Sequence, residues 1–136
     1  VGTMERFLSM TVDYMNQRKQ FGVTIVSFQA LRHRVSDMKM QLELARSMSY
    51  YATLKLGADE AERRQALSRA KVQLGQSLRF VGQQGVQLHG GIGVTDEYAG
   101  SHYFKHLTQL EMTYGDHLHH LGEVNERMTE SAGVFA

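Results

Sequence analysis

Apolar residues recur every three or four positions along most of the chain, which is the spacing of one face of an α-helix. The first such segment carries Met4, Leu8, Thr11 and Met15 on one face. The second alternates steps of four and three residues, which is typical of the seam of a helical bundle. Its members are Leu31, Val35, Met38, Leu42, Ala45, Ser49, Ala52 and Leu56.

Turn-forming residues interrupt this pattern and divide the chain into helices. Gly22 can take a turn conformation within a connection over Gln20–Thr24. Gly57 ends the second helix, and Asp59 is a suitable N-cap for the third. The pattern predicts helices over about Thr3–Arg18, Ser27–Leu56 and Glu60–Leu88.

The last part of the chain contains two further predicted helices. Thr95 is expected to cap the fourth, with Asp96 and Glu97 in its first turn, where the helix dipole favours acidic residues. The pair Gly115–Asp116 breaks the pattern before a final helix to about Thr129. Inward positions of the third and fourth helices are Ala70, Leu74, Leu78, Val81, Gly85, Leu88, Tyr103, Leu107 and Leu110, and Glu130–Ala136 is expected to be a frayed tail.

Composition supports an all-α fold. A chain of 136 residues without proline suits a single domain, here an up-and-down four-helix bundle with a short extra C-terminal helix. The net charge of +1 gives no case for nucleic acid binding, and no apolar run approaches the ~20 residues of a membrane span. Absence of cysteine excludes disulfides and is compatible with a reducing compartment. The pattern begins as though inside a helix, which predicts a fragment of a longer protein.

Groups suited to an anionic nucleotide lie at the ends of the predicted helices. Arg18 follows the first helix, and its planar guanidinium can donate paired hydrogen bonds to a pyrophosphate. Gln29 opens the second helix, and Gln87 lies one turn before Gly90 and Gly91, where a ligand can approach the backbone closely. Each feature alone is more often a solvated charge or a helix cap. The residues by themselves do not name the ligand.

Taken in order, these stretches resemble the C-terminal helical domain of acyl-CoA dehydrogenases. Arg18–Gly22 resembles that family's R-x-x-F-G, and Phe28–Gln29 its following aromatic-or-His plus Gln pair. Gln87–Gly93 resembles Q-x-x-G-G-x-G, and Glu97–Tyr98 the downstream E-Y. The resemblance covers essentially the whole of residues 1–136.

The resemblance implies a flavoenzyme that catalyses α,β-dehydrogenation of an acyl-CoA thioester and passes electrons to an electron-transfer flavoprotein. It implies a dimer or a dimer of dimers in the cytoplasm, with FAD held partly across a subunit interface and its pyrophosphate beside Arg18. The cofactor-binding residues that it implies are Arg18, Gln20, Phe21, Gln29, Gln87, His89, Gly90 and Gly91.

The position of the family's catalytic carboxylate departs from the usual Y-E-G-T. Counting without a gap from Gln87 places Thr113–Asp116 there, so that Tyr114 replaces the glutamate. A phenol with a pKa of about 10 is a poor base at neutral pH, so no catalytic residue is assigned. Gly115 keeps the family's glycine and is expected at the substrate. Glu111 is expected to be a solvated surface acid.

Two explanations of this departure remain open. The base lies upstream of this chain, as in some branches of the family, or the protein is the non-catalytic partner subunit of a mixed-subunit dehydrogenase. His102–Thr108 followed by Gly115–Asp116 resembles bacterial members with paired subunits.

Two other functions compete with the flavoenzyme. His102 and His106 share a helix face and His117, His119 and His120 cluster, but neither H-E-x-x-H nor Glu-x-x-His occurs, so no metal site is predicted. A ligand-free helical assembly module would fit the seam of the second helix equally well. Only the grouping of arginine, amides and glycines favours a nucleotide.

Overall fold

The computed structural model describes residues 1–132 and has five α-helices there. This confirms the predicted all-α fold. In chain order the elements are α1 Gly2–Gln17, β1 Lys19–Gln20, β2 Val23–Thr24, a 3-10 turn Ile25–Ser27, α2 Gln29–Leu54, α3 Glu60–His89, a 3-10 turn Gly90–Val94, α4 Ala99–Met112 and α5 His117–Ala132.

The long helix α3 packs against each of the other four helices. The predicted inner face of α1 is buried throughout, and it includes Phe7, which the four-residue pattern omitted. The centre of the α2 seam is confirmed, because Met38, Leu42 and Ala45 are fully buried. Leu56 is wrong as a seam residue, because it follows the end of α2 and is 53% exposed. The core comprises Met4, Phe7, Leu8, Met15, Ile25, Met38, Leu42, Ala45, Leu78, Val81, Leu88 and Leu107.

Because Gly85 has no side chain, α1 can approach α3 closely. A Cβ atom at this position would lie 2.4 Å from the ring of Phe7, which is fully buried. Since that ring has no free space to move into, the glycine fixes the crossing of the two helices beside the end of α3.

The connection between α1 and α2 is a small hairpin in which Lys19 pairs with Thr24 and Gln20 with Val23. Its turn has φ of 54° at Phe21 and 78° at Gly22. Two successive positive φ values are the geometry of a type I′ turn, which matches the twist of paired strands. Gly22 therefore has the turn role predicted for it.

Helix capping agrees with the sequence at α3 and differs at α4. The Asp59 carboxylate accepts a hydrogen bond from the Glu62 N–H at 2.9 Å, which confirms the N-cap. Thr95 does not cap α4, which begins at Ala99. Its hydroxyl donates to the Ile92 carbonyl at 2.9 Å, closing the 3-10 turn. Asp96 and Glu97 therefore precede α4 rather than forming its first turn.

The fifth helix has 16 residues, as many as α1, so it is longer than the short helix predicted from the sequence. It continues to Ala132, three residues past the predicted end. The rest of the expected tail, 133–136, lies outside the described residues. No helix within residues 1–132 combines the length and apolar character needed to cross a membrane.

Candidate functional site

A cleft of about 530 Å³ lies where α1, the hairpin and the end of α3 meet. Six of the eight predicted cofactor-binding residues line it. These are Arg18, Gln20, Gln87, His89, Gly90 and Gly91, together with Tyr14, Ile25, Leu88 and Ile92. Folding thus brings the corner after the first helix to the corner after the third. The volume lies within the ~300–1,000 Å³ range of ligand pockets.

Backbone hydrogen bonds hold Arg18 at the mouth of this cleft. Its N–H donates to the Tyr14 carbonyl at the end of α1, and its carbonyl accepts from the Ile25 N–H, both at 2.8 Å. The side chain is exposed, and it takes part in none of the ion pairs found among the described residues. The guanidinium is therefore available to an anion.

The helix dipoles around the cleft increase the importance of this guanidinium for anion binding. Both α1 and α3 point their C-terminal ends at the cleft, and helix C-termini carry partial negative charge. Those ends repel a phosphate, so binding of an anion here depends on Arg18.

The two glycines after α3 differ in their roles. Gly90 has a φ of 64°, and its N–H donates to the Gln87 carbonyl, so its conformation ends the helix. A Cβ atom on Gly91 would meet nothing within 4 Å. Because its φ is not positive, this glycine is not required by the fold of the described residues. The unfilled space at Gly91 would therefore allow a ligand to approach the backbone closely.

His89 forms a wall of the cleft and is only 2% exposed. Its Nδ1–H donates to the Gly85 carbonyl at 2.7 Å. The ring lies parallel to that of Phe7, with centroids 5.8 Å apart, and 4.7 Å from the ring centroid of Tyr14. Burial lowers the pKa of His89 although the bond to Gly85 opposes this. The imidazole is therefore neutral at pH 7 and adds no positive charge to the cleft.

Two of the predicted cofactor-binding residues lie outside the cleft. Phe21 is 91% exposed at the tip of the hairpin, with its ring edge-on to that of Phe28 at a centroid distance of 6.3 Å. Gln29 is exposed at the start of α2. Their contact with a cofactor stays a prediction.

The α4–α5 corner, Thr113–Asp116, is separate from the cleft. The 14 residues of α4 span about 21 Å between the glycine-rich turn and this corner. Tyr114 is 92% exposed with a φ of 59°, and Gly115 has a φ of 91°. The structure therefore does not bring Gly115 together with the predicted cofactor-binding residues.

Glu111 is buried, so its prediction as a solvated acid was wrong. One of its carboxylate oxygens accepts hydrogen bonds from the backbone N–H of His117 at 3.2 Å and from the His117 Nδ1–H at 2.6 Å. Burial raises the pKa of Glu111, but the hydrogen bonds and charge of His117 together outweigh it, so the pKa falls below its ordinary value. A six-residue separation across a helix break carries no periodic signal, which is why the sequence did not reveal the pair.

The histidines have hydrogen-bonding and packing roles. A ring nitrogen of His102 donates to the Asp96 carbonyl at 3.1 Å, and the rings of His119 and His120 meet edge to face. Within residues 1–132 no three His, Asp or Glu side chains are arranged to hold a metal ion.

Comparison with known proteins gives one consistent result. The family described as acyl-CoA dehydrogenase, C-terminal domain, matches residues 1–129. Acyl-CoA dehydrogenase IpdE2 of Mycobacterium tuberculosis is 36% identical over 105 residues, covering 77% of this chain and 31% of that protein. This chain thus spans about a third of such relatives.

Solved structures agree with that match. One chain of the ChsE4-ChsE5 complex of Mycobacterium tuberculosis superposes with a TM-score of 0.88 at 27% identity, over 95% of this chain and 35% of that chain. Butyryl-CoA dehydrogenase of Megasphaera elsdenii gives a TM-score of 0.84 at 27% identity, over 94% and 33%. The chain therefore belongs to the acyl-CoA dehydrogenase family, whose C-terminal helical domain it comprises.

Proposed function

We propose that these residues form the FAD-contacting and oligomerisation domain of a flavin-dependent acyl-CoA dehydrogenase that carries out α,β-dehydrogenation of an acyl-CoA thioester. One observation carries the proposal: a single cleft unites an exposed guanidinium, two side-chain amides and an unfilled diglycine turn. A purely structural bundle has no need of that combination.

The chemistry of the cleft fits one part of FAD. Arg18 would hold the pyrophosphate with paired, charge-assisted hydrogen bonds. Gln20 and Gln87 would donate to polar groups of the nucleotide, while Tyr14, Ile25 and Ile92 offer apolar contact to a ring. When bound, FAD supplies the acceptor for the hydride that leaves the β-carbon of the substrate. The residues of this chain bind and orient it, with Phe21 and Gln29 proposed to meet its adenosine half from the hairpin side.

Filling the open space at Gly91 tests the proposal. We expect Gly91→Leu to lower FAD content by about tenfold in the complete protein, because the added side chain occupies the volume a ligand needs. The matched control is Gly122→Leu on α5, where a Cβ atom also meets nothing within 4 Å. Flavin absorbance per protein after gel filtration is measured beside the thermal midpoint.

The comparison of these variants separates binding from folding. Loss of flavin in Gly91→Leu with an unchanged midpoint, and full flavin in Gly122→Leu, supports the proposal. Equal flavin content in the two variants contradicts it.

Acyl-CoA as substrate and an electron-transfer flavoprotein as electron acceptor are part of the same proposal. We assign Gly115, which lies away from the cleft, to the substrate side of the enzyme. Bleaching of the flavin on anaerobic addition of a saturated acyl-CoA, with recovery on addition of an electron-transfer flavoprotein, is the direct assay. A flavin that stays oxidised with acyl-CoAs of short, medium and long chains would speak against dehydrogenation.

An apolar row on α2 supports assembly with a second copy. Met40, Leu44, Tyr51 and Leu54 recur at helical spacing on the side of α2 opposite its buried face. Leu54 is 82% exposed and Met40 is 53% exposed. Such a row on a soluble helix marks an interface. We propose that it is buried in a dimer or in a homotetramer built as a dimer of dimers.

Charge placed on this row should break the assembly. We expect Leu44→Glu combined with Leu54→Glu to reduce the molar mass measured by light scattering, because a buried interface excludes unpaired charge. Gln109→Glu, at an exposed position of α4, is the control. An unchanged mass for the double variant would place the interface elsewhere.

A second candidate is the non-catalytic subunit of a mixed-subunit dehydrogenase. It is favoured by the α4–α5 corner, where we assign Tyr114 to the family's base position and both nearby acids are engaged. Glu111 is buried and bonded to His117, and the Asp116 carboxylate accepts a hydrogen bond from the His119 N–H. Co-expression with dehydrogenase subunits encoded by neighbouring genes distinguishes this candidate from a homo-oligomeric enzyme. FAD binding only in a mixed complex supports this candidate, and FAD binding by the protein alone supports the homo-oligomer.

We also propose a cytoplasmic location, with which a chain of 136 residues lacking cysteine is compatible. Fractionation of cells that express the complete protein tests this, and recovery with the membrane or exported fraction would contradict it.

A further inference from the structure

The α4–α5 corner holds an exposed aromatic ring in a conformation that L-residues avoid. Tyr114 has a φ of 59°, which brings Cβ close to the following carbonyl and costs free energy for a bulky residue. Its side chain is 92% exposed, so packing within the described residues does not repay that cost. A strained backbone persists only where its surroundings over-determine it, and such positions cluster at binding sites.

Hydrogen bonds from helices α3 and α5 fix this corner. The Lys71 Nζ on α3 donates to the Thr113 carbonyl at 2.8 Å. The His120 Nε2–H on α5 donates to the Tyr114 carbonyl at 2.9 Å. On the α5 side, the Asp116 carboxylate accepts from the His119 N–H at 2.8 Å and caps the helix. The backbone on both sides of Tyr114 is thereby tied to the bundle.

Glu111 is the most buried of these tethering groups. It joins the last turn of α4 to the first residue of α5 through two hydrogen bonds to His117, one from the backbone and one from the ring. His117 is in turn pressed against α3, because a Cβ atom at Gly75 would lie 2.7 Å from the His117 Cβ. Glu111 therefore ties together the two helix ends between which Tyr114 lies.

We propose that Glu111, acting through His117, is a positioning residue that holds the Tyr114 ring against the acyl-CoA substrate. This rests on the proposed function, which places the corner at the substrate. Tyr114 is then the contacting residue, through its ring rather than through proton transfer.

A double-mutant cycle in the complete, FAD-loaded protein tests the coupling. We expect Glu111→Ala and Tyr114→Ala each to raise the KM for acyl-CoA by about tenfold with little change in kcat, since both remove binding rather than chemistry. The combined variant should be no worse than either single one, because both act on one contact. Glu111→Gln keeps an oxygen that accepts from the His117 backbone N–H and should recover most of the loss. Glu62→Ala removes an exposed, paired carboxylate at the start of α3 and is the control.

Amide hydrogen exchange gives a readout that does not depend on turnover. Exchange at 113–117 should accelerate in Glu111→Ala and stay slow in Glu111→Gln. The same rate in both variants overturns the tethering role. Additive KM effects, or a Tyr114→Ala variant that changes the oligomeric state instead of KM, overturn the substrate contact. If the unsubstituted protein binds FAD but no acyl-CoA, the substrate contact fails while the FAD-binding part of the proposed function stands.

Discussion

Removal of the Arg18 guanidinium is the most direct perturbation of the cleft. Arg18→Ala deletes an exposed side chain whose backbone is fixed by two hydrogen bonds that the substitution keeps. The fold should therefore be unaffected, and any effect should appear in the binding of an anionic ligand.

The magnitude follows from the charges around the cleft. A hydrogen bond to a charged group contributes about 1.5–3 kcal/mol, which corresponds to a ~10–150-fold change in Kd. We expect the upper half of this range, because His89 is neutral and two helix C-termini face the cleft. Arg18→Lys keeps the charge but loses the paired donors, so its loss should be intermediate.

The assay is titration of the apoprotein with FAD, followed by flavin fluorescence at two salt concentrations. Lys19→Ala is the matched control, since it removes a neighbouring exposed cation that does not line the cleft. The effect of Arg18→Ala should shrink at high salt, because screening weakens an exposed charge contact.

Two results would refute this reasoning. If Arg18→Ala and Lys19→Ala weaken FAD binding equally, Arg18 contributes only general electrostatic attraction and no specific contact. Unchanged flavin content after gel filtration of Arg18→Ala would exclude a pyrophosphate contact altogether.

Three further predictions concern the core and the α4–α5 corner. Gly85→Ala should lower the free energy of unfolding by about 1–3 kcal/mol, because its Cβ atom would overlap the buried ring of Phe7. Urea denaturation measures this loss, and the control is Gly57→Ala, whose Cβ atom would meet nothing within 4 Å. Tyr114→Phe should keep kcat within about twofold, since the ring remains and the hydroxyl transfers no proton; a large loss of turnover with FAD still bound would contradict this. Because the folded-state pKa of Glu111 is lowered, its stabilisation is complete above the unfolded value of 4.5 and is lost as pH falls through the folded value. Glu111→Gln should therefore flatten the acid side of a plot of unfolding midpoint against pH, and an unaltered slope would show that the carboxylate is not responsible.

The helices were predictable because each depends on local spacing. Apolar steps of three and four residues, an acidic N-cap at Asp59 and a glycine after α3 specify helix extents without knowledge of their neighbours. Thr95 was misjudged because the glycine-rich turn continues as a 3-10 segment, in which its hydroxyl closes the turn instead of opening a helix. Whether the Thr95 hydroxyl closes a turn or caps a helix depends on the conformation of the surrounding backbone.

The sequence by itself determined the all-α fold and the chemical types at the helix ends, an arginine, amides and paired glycines, since these follow from periodicity and residue identity. Only the tertiary structure decided which of those ends meet, that Glu111 is buried against His117, and that Tyr114 is held outward in a strained conformation. These features arise from contacts between residues far apart in sequence or across a helix break. No periodic pattern encodes such contacts, because they depend on how whole helices pack.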